Sequence, residues 1–283
     1  MKILMSLMQW YEQQPVAPDA VVLDIDGVLI LQRRPLPGAL AFIDRLRKDN
    51  IFFSLLTNAA DESVEERLAV LTAAGFDLEA ARITSAGHPL EDLTLRENLR
   101  GSLFFMMAKL GNPCYAEAAG LEITRQVRDL ERCSGVVVGE GPSDWRTEVT
   151  AVVNFLRKHP EAALICPNPD PFFPGQAGEI HIGSGGVTSF IIQILTACGV
   201  DIKPRYLGKP YAPVFEHNHR RMEAQAGRPI DRSKTIMIGD MLEGDILGGN
   251  SFGYRTALLL TGGTKRSMLP KSTTRPDVVF EGI

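Results

Sequence analysis

The chain has 283 residues, of which 45% are hydrophobic and 23% are charged, a composition that is typical of a globular enzyme with two domains. A formal net charge of −4 argues against a protein that binds nucleic acid by neutralising its phosphates. The cysteines include no Cys-x-x-Cys pair, which is typical of reduced thiols in a cytoplasmic protein and indicates no sulfur-ligated metal site.

An apolar stretch over residues 3–8 opens the chain, and Gln9 and Glu12 interrupt it soon afterwards. The stretch is too short for a membrane span or for the core of a secretory signal. We therefore predict an amphipathic helix at the start of the chain and no association with a membrane.

The most informative segment is the apolar run 21–23, which is followed by Asp24, Ile25, Asp26 and Gly27. Residues two apart on an extended backbone point to the same side, so the two carboxylates can converge beyond the end of a buried strand. Two carboxylates this close repel each other unless a cation lies between them or one keeps its proton. The pair predicts a site for a hard metal ion, for which Mg²⁺ is the best candidate, an acid/base role, or both.

Two other interpretations of the same segment fit the sequence less well. A calcium loop of the EF-hand type needs glycine at its sixth position and a bidentate Glu at its twelfth. Counted from Asp24, glycine is fourth and the twelfth residue is Pro35. A surface turn is disfavoured because the apolar strand leads directly into the acids.

Helical and extended patterns alternate on both sides of a long insertion. The predicted elements before it are a helix over 39–48, a strand over 51–56, a helix over 62–74 and a strand over 82–84. Those within it are helices over 89–99, 145–159 and 187–197 and strands over 103–107, 135–139 and 162–166. Those after it are strands over 205–207, 235–238, 255–260 and 276–280, a helix over 212–226 and a short helix near Asp245.

This alternation predicts an α/β fold with a doubly wound, Rossmann-like parallel sheet. We expect a catalytic core formed by residues 1–87 and 204–283, and an inserted α/β cap domain over 88–203 that determines substrate specificity. Within the cap, segment 167–184 is too irregular for regular structure, and loops of this kind commonly bind ligands. Asp170, Phe172 and His181 are therefore candidate substrate-binding residues. A structural role for His181, and packing of Phe172 and Phe173 beneath the cap, remain open alternatives.

Three later segments repeat the pattern of an apolar strand that ends in polar groups: Thr57 and Asn58, then Lys209, then Asp240 with Asp245 five residues on. Each is weak evidence alone, because a helix cap, a solvated lysine or an ordinary turn explains it equally well. Together they provide acids for a metal ion, a lysine for phosphate charge, and a hydroxyl and an amide for phosphate oxygens. We expect these strand ends to meet.

The four segments resemble the four signature motifs of the haloacid dehalogenase superfamily. The resemblance implies that Asp24 is a nucleophile that forms an aspartyl-phosphate and that Asp26 is the general acid/base. It implies further that Thr57 and Asn58 bind the transferring phosphoryl group and that Lys209 neutralises its charge.

The same resemblance implies a Mg²⁺ site. The carboxylates of Asp24 and Asp240 and the backbone carbonyl of Asp26 would bind the metal. Asp245 would lie one shell further out and orient either a metal-bound water or Lys209.

An acid two residues after the nucleophile is absent from the dehalogenase branch and favours a phosphatase or a mutase. The insertion between Asn58 and Lys209, and the sequence Asn168-Pro169-Asp170, resemble the class IIA, NagD-like nitrophenylphosphatase branch. This implies a Mg²⁺-dependent phosphatase for a small phosphomonoester, such as a sugar phosphate, a nucleotide or pyridoxal phosphate. A phosphotransferase, a non-catalytic phospho-ligand scaffold and a homodimer formed through the cap are the open alternatives.

Overall fold

The computed structural model describes residues 6–174 and 179–283. The described chain divides into two compact units. The core unit comprises the residues up to Thr57 together with Val64–Thr84 and Lys209–Ile283, and the inserted unit comprises Asn58–Ser63 and Ser85–Gly208. No helix in the described ranges combines the length and the apolarity needed to cross a membrane.

The helices, in chain order, are α1 (Leu7–Glu12), α2 (Ala39–Lys48), α3 (Val64–Ala73), α4 (Pro89–Arg96), α5 (Tyr115–Ala118), α6 (Trp145–Lys158), α7 (Ser184–Ala197), α8 (Ala212–Ala226) and α9 (Leu247–Phe252). The strands are β1 (Ala20–Leu23), β2 (Ile30–Leu31), β3 (Arg34–Pro35), β4 (Phe52–Thr57), β5 (Ile83–Ser85), β6 (Leu103–Met107), β7 (Glu122–Thr124), β8 (Gly135–Val138), β9 (Ala163–Cys166), β10 (Phe172–Pro174), β11 (Ile180–Ile182), β12 (Arg205–Tyr206), β13 (Thr235–Gly239), β14 (Arg255–Leu259) and β15 (Val278–Phe280).

A six-stranded sheet in the order β15-β14-β13-β1-β4-β5 forms the centre of the core unit. Strand β1 lies in parallel between β13 and β4, with Leu23 in register with Ile238 and Leu55. Every residue of β1 is buried, because α2 covers the face that carries Leu23 and α8 covers the face that carries Val22. A strand buried on both faces is apolar throughout. The predicted Rossmann-like α/β core is confirmed.

The inserted unit contains its own five-stranded sheet, in the order β12-β9-β8-β6-β7, with parallel pairings throughout. Helices α6 and α7 pack on one face, and α4 and α5 pack on the other. Strands β10 and β11 form a separate antiparallel pair.

The structure differs from the sequence-based expectation at several places, among them the short strands β2 and β3, which were not predicted. The strand expected to rejoin the core after residue 204 instead pairs with β9 of the inserted sheet, as Arg205–Tyr206. Strand β7 and helix α5 were not predicted, because each is too short to show a periodic pattern. Segment 167–184, expected to be irregular, contains the β10–β11 pair.

Candidate active site

The carboxylate of Asp24 lies directly beyond the end of β1, where the apolar strand stops. Its backbone N–H donates to the carbonyl of Ile238, which continues the pairing with β13 by one residue. The ammonium of Lys209 donates to Asp24 Oδ1 at 2.7 Å, to Asp245 Oδ1 at 2.7 Å and to the carbonyl of Leu56 at 3.1 Å. Three acceptors match the three protons of an ammonium group, so the lysine is fixed in position.

Asp240 follows the end of β13, next to β1 in the sheet. Asp245 belongs to a π-helical turn, Leu242–Ile246, whose geometry turns this carboxylate back toward β13. Its Oδ2 accepts from the backbone N–H of Asp240 at 3.1 Å and of Met241 at 2.9 Å. A Cβ on Gly239 would lie only 2.1 Å from the Asp245 side chain, so glycine is required there.

Oxygens of Asp24, Asp240 and Asp245 lie within 4.8 Å of one another, and all three residues are buried. Burial raises the pKa of each above its usual value, and the carboxylates of Asp24 and Asp245 raise the pKa of Asp240 further. Burial by itself would lower the pKa of Lys209, but Asp24 and Asp245 outweigh it and raise that pKa above its ordinary value. Three acids against one lysine leave an excess of negative charge, which a divalent cation would neutralise.

The hydrogen bonds separate these acids into two kinds. Asp240 Oδ1 is buried and accepts no hydrogen bond from the described residues, and an unpaired buried carboxylate oxygen is what a metal ligand requires. Both oxygens of Asp245 already accept hydrogen bonds. The donor set therefore fits a metal held by Asp24 and Asp240, with Asp245 behind them.

Asp26 is placed differently from Asp24. Its side chain is 55% exposed, and Oδ2 accepts from Arg67 Nη1 of α3 at 3.0 Å. Because Gly27 adopts a φ of +85° directly after it, the chain turns sharply at this point. A solvent-accessible carboxylate can exchange protons with water, whereas Asp24 is buried and paired with Lys209.

Thr57 and Asn58 are both buried at the end of β4. Asn58 Nδ2 donates to Asp170 Oδ1 at 3.0 Å. The structure thus brings together two residues that the sequence analysis had assigned to separate tasks, phosphoryl binding and substrate recognition.

Phe172 and His181 lie on the antiparallel pair, at 50% and 52% exposure. The register pairs Phe172 with Ile182 and Phe173 with His181, whose rings stack at 5.4 Å. Since side chains alternate along a strand, Phe172 and His181 occupy opposite faces of the β10–β11 pair. Phe172 and Phe173 are 50% and 37% exposed, so neither is buried within the inserted unit.

The sequence analysis missed the loop after β14, which supports Asp240. The backbone N–H of Gly263 donates to Asp240 Oδ2, and that of Thr264 donates to the Asp240 carbonyl at 3.0 Å. A Cβ on Gly262 would lie 2.0 Å from Asp240 Oδ2, which explains the glycine. The sequence feature that could have indicated this loop is the apolar strand β14 followed closely by Thr261-Gly262-Gly263-Thr264. Arg67 and Glu140 were missed as well.

Comparison with known proteins is consistent with this geometry. Residues 21–122 match the family described as haloacid dehalogenase-like hydrolase, and residues 206–283 match the family described as HAD-hydrolase-like. Chronophin from Mus musculus is 30% identical over 250 residues, which cover 86% of this chain and 80% of that protein. Dihydroxyacetone phosphatase from Corynebacterium glutamicum is 26% identical over 260 residues, covering 92% and 87%.

Among solved structures, NagD from E. coli K-12 superposes with a TM-score of 0.77 at 23% identity and covers 94% of this chain and 97% of its own. The α/β fold, the buried acid–lysine cluster and the matches to two hydrolase family models together identify the chain as a hydrolase. The chain belongs to the haloacid dehalogenase superfamily, in its class IIA, NagD-like branch. The resemblance based on the four motifs is confirmed.

Proposed function

We propose that this phosphatase hydrolyses a small phosphomonoester with Mg²⁺ bound, through an aspartyl-phosphate on Asp24. The observation that carries the proposal is the contact between Asp24 and Lys209, both buried, at 2.7 Å. The lysine holds one carboxylate oxygen and reduces the repulsion between the nucleophile and an approaching phosphate dianion.

In the first step, a carboxylate oxygen of Asp24 attacks phosphorus and the bond to the ester oxygen breaks. Asp26 donates a proton to the departing alkoxide. In the second step, Asp26 takes a proton from water, the water oxygen attacks phosphorus, and the bond between phosphorus and Asp24 breaks. Inorganic phosphate leaves, and both aspartates return to their starting states.

Mg²⁺ bound by Asp24, Asp240 and the Asp26 carbonyl would supply positive charge for the phosphoryl oxygens. Lys209 neutralises charge through its contact with Asp24 Oδ1 at 2.7 Å, while Thr57 and Asn58 provide a hydroxyl and an amide as donors. Asp245 keeps Lys209 in position through the 2.7 Å contact between Nζ and Oδ1.

The substrate class is supported by a relative's name. Dihydroxyacetone phosphatase, 26% identical, acts on a small phosphorylated compound by its name. We infer a substrate of comparable size for this chain, with sugar phosphates as the first group to test. Recognition of the leaving group is assigned to the inserted unit, with Phe172 and His181 as candidates.

A homodimer formed through the inserted unit is proposed as well. The β10–β11 pair exposes Phe172, Ile180 and Ile182, at 50%, 67% and 61%, and apolar residues exposed together favour an interface. Light scattering on the purified protein and on Ile180→Ser tests it, since a monomer in both would contradict the proposal.

The deciding experiment is a screen of phosphomonoesters with and without Mg²⁺, run on the native protein and on Asp24→Asn. We expect Mg²⁺-dependent release of phosphate and a loss of several orders of magnitude in the variant. Asp44→Asn, which changes an exposed aspartate of α2, is the matched control. Turnover by a folded Asp24→Asn protein would refute the mechanism.

A further inference from the structure

A buried acid outside the motifs is connected to Asn58 by a series of hydrogen bonds. Glu140 follows β8 and is only 8% exposed. Its Oε1 accepts from Asn168 Nδ2 at 2.6 Å and from the backbone N–H of Ser184 at 3.4 Å. Its backbone is held on both sides, because Glu140 N–H donates to the Lys109 carbonyl at 2.8 Å and Lys109 N–H donates to the Glu140 carbonyl at 2.9 Å.

The next link is the turn at Asn168. Asn168 Oδ1 accepts from the Asp170 backbone N–H at 2.9 Å, which is an Asx-type turn. The Ser184 hydroxyl donates to the Asn168 carbonyl at 2.9 Å. A Cβ on Gly185 would lie 1.9 Å from the Pro169 carbonyl oxygen, so backbone packs directly against the turn. The turn is therefore fixed by its side-chain hydrogen bonds and by close packing.

The last link reaches the amide of Asn58. Asp170 Oδ1 accepts from Asn58 Nδ2 at 3.0 Å. The donor is the NH₂ group of Asn58, and the acceptor is a carboxylate oxygen of Asp170. The Asn58 amide is thereby restrained by a residue 112 positions away in the sequence.

We propose that Glu140 is a positioning residue that fixes the Asn168–Asp170 turn and, through Asp170, the side-chain amide of Asn58. The inference rests on the proposed function, in which Asn58 binds the transferring phosphoryl group. It also changes the role of Asp170, from contact with the leaving group to support of Asn58.

The surroundings of Glu140 support a specific role. Burial, together with the nearby acids Asp61 and Asp170, raises the pKa of Glu140 to about 7. A buried carboxyl near two others disfavours its own ionised form, so an apolar residue would be the simpler choice for packing alone. The hydrogen bond to Asn168 is what an apolar residue could not make.

The test uses inorganic phosphate as the probe, because every phosphomonoester of this enzyme would yield it. We expect Glu140→Ala to raise the inhibition constant of phosphate by about tenfold, the size of effect that follows from loss of a buried hydrogen-bond partner. Glu140→Gln keeps an acceptor oxygen for Asn168 and should stay within about threefold of the native value. The increase in KM should be similar for all substrates, because phosphoryl binding is common to them.

A double-mutant cycle between Asn58 and Glu140 distinguishes a positioning role of Glu140 from general damage to the fold. In an Asn58→Ala background, Glu140→Ala should have little further effect on the phosphate inhibition constant, whereas independent effects would multiply. Asp170→Ala should reproduce the effect of Glu140→Ala and covers the case in which the latter does not fold. Glu148→Ala, a partly buried acid on α6 of the same unit, is the control and should leave phosphate binding unchanged.

Independent effects of Asn58→Ala and Glu140→Ala, or an unchanged inhibition constant in both Glu140→Ala and Asp170→Ala, would overturn the positioning role. Those results presuppose an active native enzyme whose activity Asp24→Asn abolishes. An inactive native protein would instead refute the proposed function, so the two failures are distinguishable.

Discussion

Lys209 Nζ and Asp245 Oδ1 lie 2.7 Å apart, and both groups are buried. The other oxygen of Asp245 accepts from the backbone N–H groups of Asp240 and Met241. One carboxylate thus connects the lysine to the loop that carries Asp240. A change at this residue would disturb two parts of the site at once without touching Asp24.

We predict that Asp245→Asn lowers kcat/KM by roughly 10- to 100-fold and raises the Mg²⁺ concentration needed for half-maximal activity. In the native protein, the two carboxylate oxygens of Asp245 accept hydrogen bonds from three donors. The asparagine amide has only one acceptor oxygen, so either Lys209 or the Asp240 loop loses its partner. A Mg²⁺ titration of activity measures the effect. Glu243→Gln, an exposed acid in the same turn, should leave the titration unchanged, and a normal titration for Asp245→Asn would contradict the positioning role.

A second prediction concerns leaving groups. If Asp26 donates the proton, Asp26→Asn should lose roughly 10²- to 10⁴-fold with alkyl phosphates and far less with nitrophenyl phosphate, whose leaving group needs little protonation. The comparison of kcat/KM on the two esters is the measurement. Equal losses on both esters would exclude the acid role. Asp77→Asn, another acid of the core unit, serves as the control.

Metal dependence gives a third prediction. Excess chelator should abolish phosphate release, and Mg²⁺ should restore it, because Asp240 Oδ1 and the buried acids need a cation. Ca²⁺ should restore little activity, since its larger and less regular coordination shell disturbs in-line attack at Asp24. Phosphate release and tryptophan fluorescence are followed in parallel to separate loss of metal from unfolding. Full activity in chelator would contradict the metal site.

A fourth prediction uses pH and stability. The pKa of Glu140 is raised from 4.5 to about 7 in the folded chain, so the folded state binds this proton more tightly than the unfolded state. The stabilisation is complete below about pH 4.5 and is lost as the pH rises through about 7. It amounts to about 3 kcal/mol, from ~1.36 kcal/mol per pKa unit.

Glu140→Gln carries no titrating group, so it should lose this pH dependence. The native protein should lose stability relative to the variant between pH 4.5 and 7.5, as measured by the thermal midpoint of each. Glu122→Gln, which changes an exposed acid of β7, is the control and should track the native protein. Parallel curves for the native protein and Glu140→Gln would show that the acid is not held protonated.

The core could be predicted from the sequence because its signals are local and strong. Strand β1 is a continuous apolar run, and Asp24 and Asp26 follow it directly. The segment that ends in Glu140 has the same pattern as the segment that ends in Asp240, namely three apolar residues, a glycine and an acid. The two segments are Val136-Val137-Val138-Gly139-Glu140 and Ile236-Met237-Ile238-Gly239-Asp240, so this pattern could have indicated Glu140. Its partner Asn168 is 28 residues away, however, and sequence patterns do not reveal pairings across such distances.

The β10–β11 pair could not be predicted from the sequence, for a different reason. Segment 167–184 contains glycine and proline and lacks the alternating pattern of a strand, so periodicity could not reveal β10 and β11. Arg67 was missed because a charged residue on an exposed helix is usually solvated. Its ion pair with Asp26 depends on the turn at Gly27, which only the fold defines.

The last prediction follows from the register of the β10–β11 pair. Phe172 shares a face with Ile182, and His181 shares the other face with Phe173. A leaving group that binds one face cannot contact the other, so residues of one face should act together. We expect Phe172→Ala and Ile182→Ala to alter the ranking of substrates in the same way, while Phe173→Ala and His181→Ala agree with each other and differ from the first pair. Catalytic efficiency over a panel of phosphomonoesters, with a minimal ester as reference, measures the ranking. The opposite result would be the same change of ranking for Phe172→Ala and His181→Ala, with no change for Ile182→Ala and Phe173→Ala. In that case the two faces would not act as units, and the leaving group would be recognised elsewhere in the inserted unit.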